Sequence, residues 1–389
     1  MKYFHGSERT DMLERELCGL RIGLITNPTG VDHNFLPTSD LLREKFNLKM
    51  LFSPEHGVRG DAQAGEKVDF YTDRVTGLPV YTMYGRDNSP AFEAFDTLDC
   101  VVYDIQDVGL RFYTYIYTLA DAMMVAAKKG VRVVVLDRYN PLGLERAEGT
   151  MLDIRFASGV GRFAIPSRYA LTVGEFARYI NSECDIGCDL HVIPCDGLHR
   201  GDDYTSVGVP WVLPSPNLPT FDSVISYAGT VLLEGTNLSE GRGTSKPFEF
   251  VGAPWLKADD VVDYFNDTGI DGARLRPAYF KPTFSKYSGE LCSGFQIHVT
   301  NRDVFRPFDF GVKLVDYVRK THEEFEFLGE NKVVREDIEK KERAPLFIDL
   351  LLGCDDLRDP GFDADNFIEK QKVAVAEFKE VSKKYSLYE

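Results

Sequence analysis

The sequence is short of positive charge for its length. Its 389 residues carry 45 Lys and Arg against 61 Asp and Glu, a formal net charge of −16. Binding along a phosphate backbone needs a broad positive footprint, so a general nucleic-acid role is excluded, while a local basic pocket is not. No run of 18 apolar residues occurs, which leaves no candidate membrane span. The polar start, MKYFHGSERTDMLEREL, has no apolar signal-peptide core. The chain as it stands therefore reads as cytoplasmic, with export open to a chain that has lost a leader. Cysteine is sparse, and seven is an odd number, so the cysteines read mostly as reduced core residues. Cys184, Cys188 and Cys195 cluster but lack a convincing fourth zinc ligand. Several catalytic signatures are also missing. No G-x-G-x-x-G follows the first apolar run, and neither G-x-S-x-G nor H-E-x-x-H occurs. GRGTSK fails the phosphate-loop spacing. There is no internal repeat and no low-complexity tract.

What is present suits a large folded core. Hydrophobic residues make up 43% and aromatic residues 12%, so global disorder is excluded. The length exceeds what one core usually fills, and two domains are expected. Apolar runs of strand length fall at 21–27, 48–55, 78–84, 100–106 and 131–138. Their near-continuous hydrophobicity suits a parallel sheet buried on both faces. Helical stretches lie between them: 39–46 with Ser39 as N-cap, and 114–129 ending at Gly130. Thr172 and Glu175 form a capping box for a further helix. The expected architecture is a Rossmann-like, mostly parallel α/β sheet domain over 1–225. A smaller α+β domain over 226–389 would close the cleft, with helices near 222–233, 257–267, 307–320 and 363–382 and a strand at 294–300.

Open α/β sheets bind ligands beyond the carboxyl ends of their strands. Here those ends carry unusual polar groups. The first run ends in Thr26-Asn27-Pro28-Thr29-Gly30, and the second in Ser53-Pro54-Glu55-His56-Gly57. The fourth carries Asp104, Gln106, Asp107 and then Arg111, and the fifth ends in Asp137-Arg138-Tyr139-Asn140-Pro141. One such ending is explained by a turn or a cap; four on one edge are better explained by a pocket.

Three polar concentrations stand out. SPEHGVRGDAQAGE (53–66) places Glu55 at a strand end on a restrained backbone, as a general acid requires. His56 would orient Glu55, bind substrate or cap a turn, and Glu66 would pair with Arg59. YDIQDVGLRFYTYIYT (103–118) combines carboxylates, an amide, an arginine and aromatic rings, the mixture a sugar site uses. Its tyrosines at helical spacing also suit a core. Asp104 and Asp107, at a buried strand end, need partners. LLEGTNLSEGRGTSKPFEFVGAPW (232–255) holds Glu234, Asn237, Glu240, Arg242, Lys246 and Glu249 in a glycine-rich stretch, read as a loop closing over the cleft.

Together with VVLDRYNPLG and WVLPSPNLPT, these segments resemble the NamZ family of exo-β-N-acetylmuramidases. The resemblance runs from about residue 21 to the closing YSLYE. Tyr139 stands where that family commonly has proline, and SRYALT (167–172) departs from its usual stretch. The resemblance implies a glycoside hydrolase that removes terminal N-acetylmuramic acid from the non-reducing ends of peptidoglycan fragments. It implies Glu55 as general acid and a second carboxylate from Asp104, Asp107, Glu234 or Glu240, unless the substrate's acetamido group assists. Arg111 or Arg242 would hold the lactyl carboxylate. The remaining substrate-binding candidates are Asn27, His56, Arg59, Gln106, Tyr113, Asn237 and Glu240. Expected partners are peptidoglycan-derived saccharides, with no cofactor and no metal. Two competing readings are a metal-dependent hydrolase built on His56, Asp104 and Asp107, and a non-catalytic peptidoglycan- or carbohydrate-binding module.

Overall fold

Runs of Ile, Leu and Val supply the strands at the centre of the molecule. The computed structural model describes residues 2–55, 57–60, 70–83, 89–329 and 344–389. In chain order its strands are β1 (Ile22–Thr26), β2 (Leu48–Ser53), β3 (Tyr71–Thr72), β4 (Pro79–Thr82), β5 (Cys100–Asp104), β6 (Arg132–Leu136), β7 (Glu148–Met151), β8 (Pro166–Arg168), β9 (Leu190–Ile193), β10 (Phe250–Ala253), β11 (Ala273–Phe280) and β12 (Cys292–Val299). The main sheet has the order β3-β4-β2-β1-β5-β6-β9. All its pairings are parallel except β3 with β4. β1 and β5 are buried along their full lengths, as the continuous hydrophobic runs require.

The strand order fixes the site. The chain leaves β1 for β2 and β4 on one side, then returns to place β5 on the other. The sheet therefore reverses direction of travel between β1 and β5, where Thr26 is in register with Asp104. Such a reversal opens a crevice at the carboxyl edge. The long helix Tyr115–Lys129 follows β5 and ends at Gly130, whose φ of 65° a left-handed cap needs. The Thr172–Glu175 capping box is present at helix Val173–Glu183. The helix expected at 39–46 starts at Thr38 with Pro37 at its N-cap, because the Ser39 hydroxyl bonds to Asp40 instead.

Helix Phe221–Thr230, capped by Thr220, carries the chain into its second part. There β10, β12 and β11 form an antiparallel three-stranded sheet. Helices Ala258–Thr268, Pro307–Thr321, Phe347–Leu352 and Ala364–Ser382 surround it. Helix Phe221–Thr230 crosses Pro307–Thr321 so closely that a side chain on Gly229 would overlap the Pro307 carbonyl and one on Gly311 would overlap the Gly229 backbone. One buried apolar cluster runs without a break from the main sheet through these helices. The stretch 232–255 is not a loop throughout: Val231–Gly235 is a 3-10 helix and its end is β10. Helix Phe347–Leu352, β9 to β11 and the β7–β8 pair were not anticipated. Among the described residues, no helix is long and apolar enough to cross a membrane. All seven cysteines are free, and Cys100, Cys188, Cys195 and Cys292 are buried.

The closing YSLYE acts as an anchor. The Tyr388 hydroxyl donates to Asp137 Oδ2 at 2.6 Å and accepts from the Cys195 N–H at 2.9 Å. Burial pushes the Asp137 carboxyl up to about 7, opposed by hydrogen bonds from Tyr388 and Thr172. Tyr388→Phe removes a donor that favours the ionised carboxylate. Stability is expected to fall by about 1–3 kcal/mol. The loss should be larger above about pH 7 than below it, where Asp137 is protonated. Denaturant midpoints at pH 5 and pH 8, at unchanged slope, check this.

Candidate active site

Beyond β2 the chain turns sharply. Gly57 adopts a φ of 79° and its N–H reaches back to the Pro54 carbonyl at 3.3 Å. That turn presents the half-buried Glu55 side chain, which accepts a hydrogen bond from the Thr114 hydroxyl at 3.1 Å. Thr114 stands immediately before helix Tyr115–Lys129. The turn after β2 and the start of the helix after β5, on either side of β1, thus fix one carboxylate at the crevice.

Glu55 lines a cavity of about 320 Å³ together with Tyr113, Thr114, Tyr115, Ser215, Tyr227, Glu234, Arg242 and Phe347. Its size lies at the low end for ligand pockets, as suits one terminal sugar. The first part of the chain supplies Glu55 and the tyrosines at 113 and 115; the second supplies Tyr227, Glu234, Arg242 and Phe347. Aromatic rings form one wall, with Tyr113 edge-on to Tyr115 at 4.9 Å and Tyr227 edge-on to Phe248 at 4.6 Å. Among the described residues, the buried Tyr113 hydroxyl finds no hydrogen-bond partner. A larger, more open hollow of about 520 Å³ lies around Thr220 and Arg302, and none of the predicted site residues lines it.

Glu234 is the second carboxylate of the cavity. Arg242 bonds it at 3.2 Å and bonds Glu240 at 3.2 Å through Nε. The same guanidinium lies over the Phe248 ring at 5.0 Å. Behind it, Lys286 donates to Glu240 at 2.9 Å. Burial pushes the Glu234 carboxyl up; Arg242 pulls it down, Glu240 pushes it up and Lys286 pulls it down. The burial effect prevails, so Glu234 holds its proton to higher pH than an ordinary glutamate.

Other predicted residues lie outside this cavity. Asp104 is fully buried and paired with Arg138 at 2.5 and 3.0 Å, and Thr38 donates to its other side. Asp107 takes hydrogen bonds from the Tyr169 hydroxyl and from the Gly109 N–H at 2.6 Å. Burial, opposed by those bonds, pushes its carboxyl to about 6. Arg111, proposed for substrate carboxylate recognition, is 0% exposed. Its guanidinium donates to the backbone carbonyls of Thr150, Ile165, Leu351 and Leu352, so it has no free face for a ligand. Gln106 is held by the carbonyls of Asp107 and Tyr139, and Asn27 Oδ1 caps its own turn by accepting from the Thr29 N–H at 3.0 Å. Arg59 pairs with Asp73 and Asp40. Asn237 clamps the backbone of Glu324 and Glu326, while Glu240 is buried behind Arg242. His56 and Glu66 lie outside the described residues. Among the described residues, no group of three His, Cys, Asp or Glu side chains is placed to hold a metal ion.

Of the predicted residues, Glu55, Tyr113, Glu234 and Arg242 therefore meet in one cavity. Thr114, Ser215, Tyr227 and Phe347 line it without being expected there, and Lys286 stands behind it; Tyr115 is one of the tyrosines of 103–118 expected either as sugar-facing rings or as core. Thr114 lies inside a quoted motif but reads as the start of a helix. Tyr227, Phe347 and Lys286 gave no local signal, because they arrive by tertiary packing.

The chain matches two family profiles in tandem. One, described as "Exo-beta-N-acetylmuramidase NamZ, N-terminal", covers residues 22–222; the other, "Exo-beta-N-acetylmuramidase NamZ, C-terminal", covers 225–388. The chain is similar to the peptidoglycan beta-N-acetylmuramidase NamZ of Bacillus subtilis strain 168. The two are 42% identical over 381 residues, which span 96% of this chain and 88% of that protein. It is also similar to two DUF1343 family proteins of Bacteroides fragilis NCTC 9343 with crystal structures. The first is 33% identical with a TM-score of 0.87, covering 100% of this chain and 99% of the other. The second is 29% identical with a TM-score of 0.77, at the same coverage.

The surroundings of Arg111 carry a prediction of their own. Arg111→Met strips four buried carbonyl oxygens of a donor. The expected cost is about 3 kcal/mol or more, read as a large fall in the denaturant midpoint. Any folded fraction should keep its preference for a muramide over the matching glucosaminide.

Proposed function

We propose, from the premise that the chain belongs to the exo-β-N-acetylmuramidase NamZ family, that Glu55 and Glu234 are its two reacting carboxylates. The protein is a glycoside hydrolase of peptidoglycan turnover, acting on terminal N-acetylmuramic acid. The observation that carries the assignment is the shared cavity: both carboxylates line it, one from each part of the chain. Asp104, Asp107 and Glu240 do not line it.

In this reading Glu55 gives its proton to the glycosidic oxygen as the bond to the anomeric carbon breaks. The departing sugar leaves as a neutral alcohol. Glu234 faces the developing positive charge of the ring, as nucleophile, as base toward water, or as the group that steadies an assisting acetamide. Water supplies the new hydroxyl; its proton returns to Glu55 where Glu234 is the nucleophile or steadies the acetamide, and goes to Glu234 where Glu234 is the base, solvent then exchanging protons with both carboxyls. Arg242 is the cation of the cavity and takes the lactyl carboxylate that separates muramic acid from glucosamine. The aromatic wall of Tyr113 and Tyr227 faces the sugar ring.

One observation favours a second reading with the two carboxylates exchanged. The raised proton affinity of Glu234 is the property a general acid needs. The leaving group separates the two. An aryl muramide with a strongly acidic phenol needs no protonation to depart. If Glu55 is the acid, Glu55→Gln should lose activity by about a hundredfold or more on a disaccharide and far less on that aryl substrate. Glu234→Gln should lose heavily on both. The opposite pattern selects the exchanged roles, and near-normal turnover by either variant on the disaccharide ends its assignment. Arg242→Gln should cut the preference for muramide over glucosaminide by about tenfold to a hundredfold in kcat/KM.

A further inference from the structure

The loop between β11 and β12 reaches back across the second domain to the turn that carries Glu234. Three side chains or backbone groups dock it. The Thr283 N–H bonds the Gly243 carbonyl at 2.9 Å, and the Tyr287 hydroxyl donates to the Asn237 carbonyl at 2.7 Å. Between them, Lys286 points inward and is only 19% exposed at its side chain, whereas Ser285 and Ser288 stay exposed. Its ammonium donates to the Leu233 carbonyl at 2.7 Å, the Leu238 carbonyl at 2.8 Å and Glu240 Oε2 at 2.9 Å. A lysine has three N–H donors, and all three are used. The backbone pays locally for this reach: Ser285 and Tyr287, on either side, hold φ values of 69° and 54°. Non-glycine residues seldom adopt that region, and such strain persists only where surrounding contacts enforce it.

The contacts form a chain that ends at a reacting carboxylate. Lys286 takes Glu240 Oε2, which leaves Glu240 Oε1 for Arg242 Nε, and Arg242 bonds Glu234. The two carbonyls held by Lys286 belong to Leu233 and Leu238, which bracket Glu234 in the chain. We propose that Lys286 is a positioning residue for hydrolysis: it holds the Glu234 turn and the Glu240–Arg242 pair, and so sets the protonation and aim of Glu234. This rests on the reading of Glu234 given above. With no free donor, Lys286 does not itself bind substrate.

The charged and titratable groups around Glu234 are Arg242 and Glu240 from its own segment, Lys286 from the β11–β12 loop and Tyr227 from helix Phe221–Thr230. Glu55 lines the same cavity. The Lys286 cation favours the ionised form of Glu234, so its removal should raise the pH at which Glu234 ionises. The test uses the full chain and the pH profile of kcat/KM on an activated aryl muramide. Lys286→Met is expected to move the Glu234 limb upward by roughly half to one pH unit and to lower kcat more than it changes KM. Lys286→Arg keeps the charge but not the three-point geometry, so its limb should stay near the parent's while kcat falls. Tyr287→Phe loses bonds to Asn237 and Trp255 on the same loop; it should lower Tm without moving either limb. If Met at 286 prevents folding, Lys286→Gln takes its place with the same expected shift. A limb that stays in place in the uncharged variants overturns the inference. Glu234→Gln identifies the limb. If it abolishes one limb while the uncharged 286 variants leave that limb unmoved, Lys286 alone is refuted. If it keeps both limbs, the role of Glu234 falls, and this inference with it.

Discussion

One buried guanidinium holds the walls of the cavity together. Arg111 follows β5 on the main sheet, yet two of its bonds go to Leu351 and Leu352, at the far end of the chain. Two more go to Thr150 and Ile165, beside the small β7–β8 pair. A cation this deep is tolerable only because carbonyl dipoles surround it. Burial lowers its proton affinity to about 10, still far above neutrality, so the charge persists. Tyr113, Thr114 and Tyr115 come directly after it, and Phe347 belongs to the helix it grips. The groups that shape the sugar cavity are therefore neighbours of the residue that locks the two parts of the chain.

The same logic of paired burial distinguishes site from scaffold along the sheet edge. Asp104 and Asp137 occupy corresponding strand ends, and both are fully buried. Arg138 neutralises the first, and hydroxyls and N–H groups serve the second. Their bonding capacity is spent within the protein. Glu55 differs in that, among the described residues, Thr114 donates to it while it also lines the cavity. Glu234 differs in that its partner, Arg242, also lines the cavity. Polar residues at a crevice thus divide by what already bonds them, and residue type alone does not reveal the division.

That distinction explains which parts of the sequence could be read. The hydrophobic runs announced the central strands, and Gly130 and the Thr172–Glu175 box announced helix ends, because these signals are local. β9 and β11 were missed because their burial alternates or is partial, with no unbroken apolar run. Glu55 was legible from Pro54 and Gly57, which constrain its own turn. Arg111 looked like a ligand for the same reason that it is not one: an arginine beside acidic strand ends attracts a functional reading, but carbonyls from residues 39 to 241 positions away claim it. Lys286 had no signal at all, since its three partners lie 46 to 53 positions earlier.

The net charge of −16 poses the remaining problem, since muramic acid is itself an anion. The cavity answers it locally. On the roles proposed above, Lys286 and Arg242 balance Glu240 and Glu234 when all four are charged. The cluster is then neutral, and an arriving carboxylate meets Arg242 without net repulsion from it. On the same roles, a lactyl carboxylate bound by the N–H donors that Arg242 has left beyond Glu234 and Glu240 brings a second anion to the guanidinium and so raises the proton affinity of Glu234. Substrate binding and the ionisation of Glu234 are therefore linked, and each must shift the other by the same free energy. Lys286 holds Glu240 Oε2, which keeps Glu240 Oε1 on Arg242 Nε and leaves the remaining guanidinium nitrogens to Glu234 and the cavity. On the roles proposed for Glu55, Glu234 and Arg242, the Lys286–Glu240–Arg242 chain behind the cavity reconciles an acidic protein with an acidic substrate.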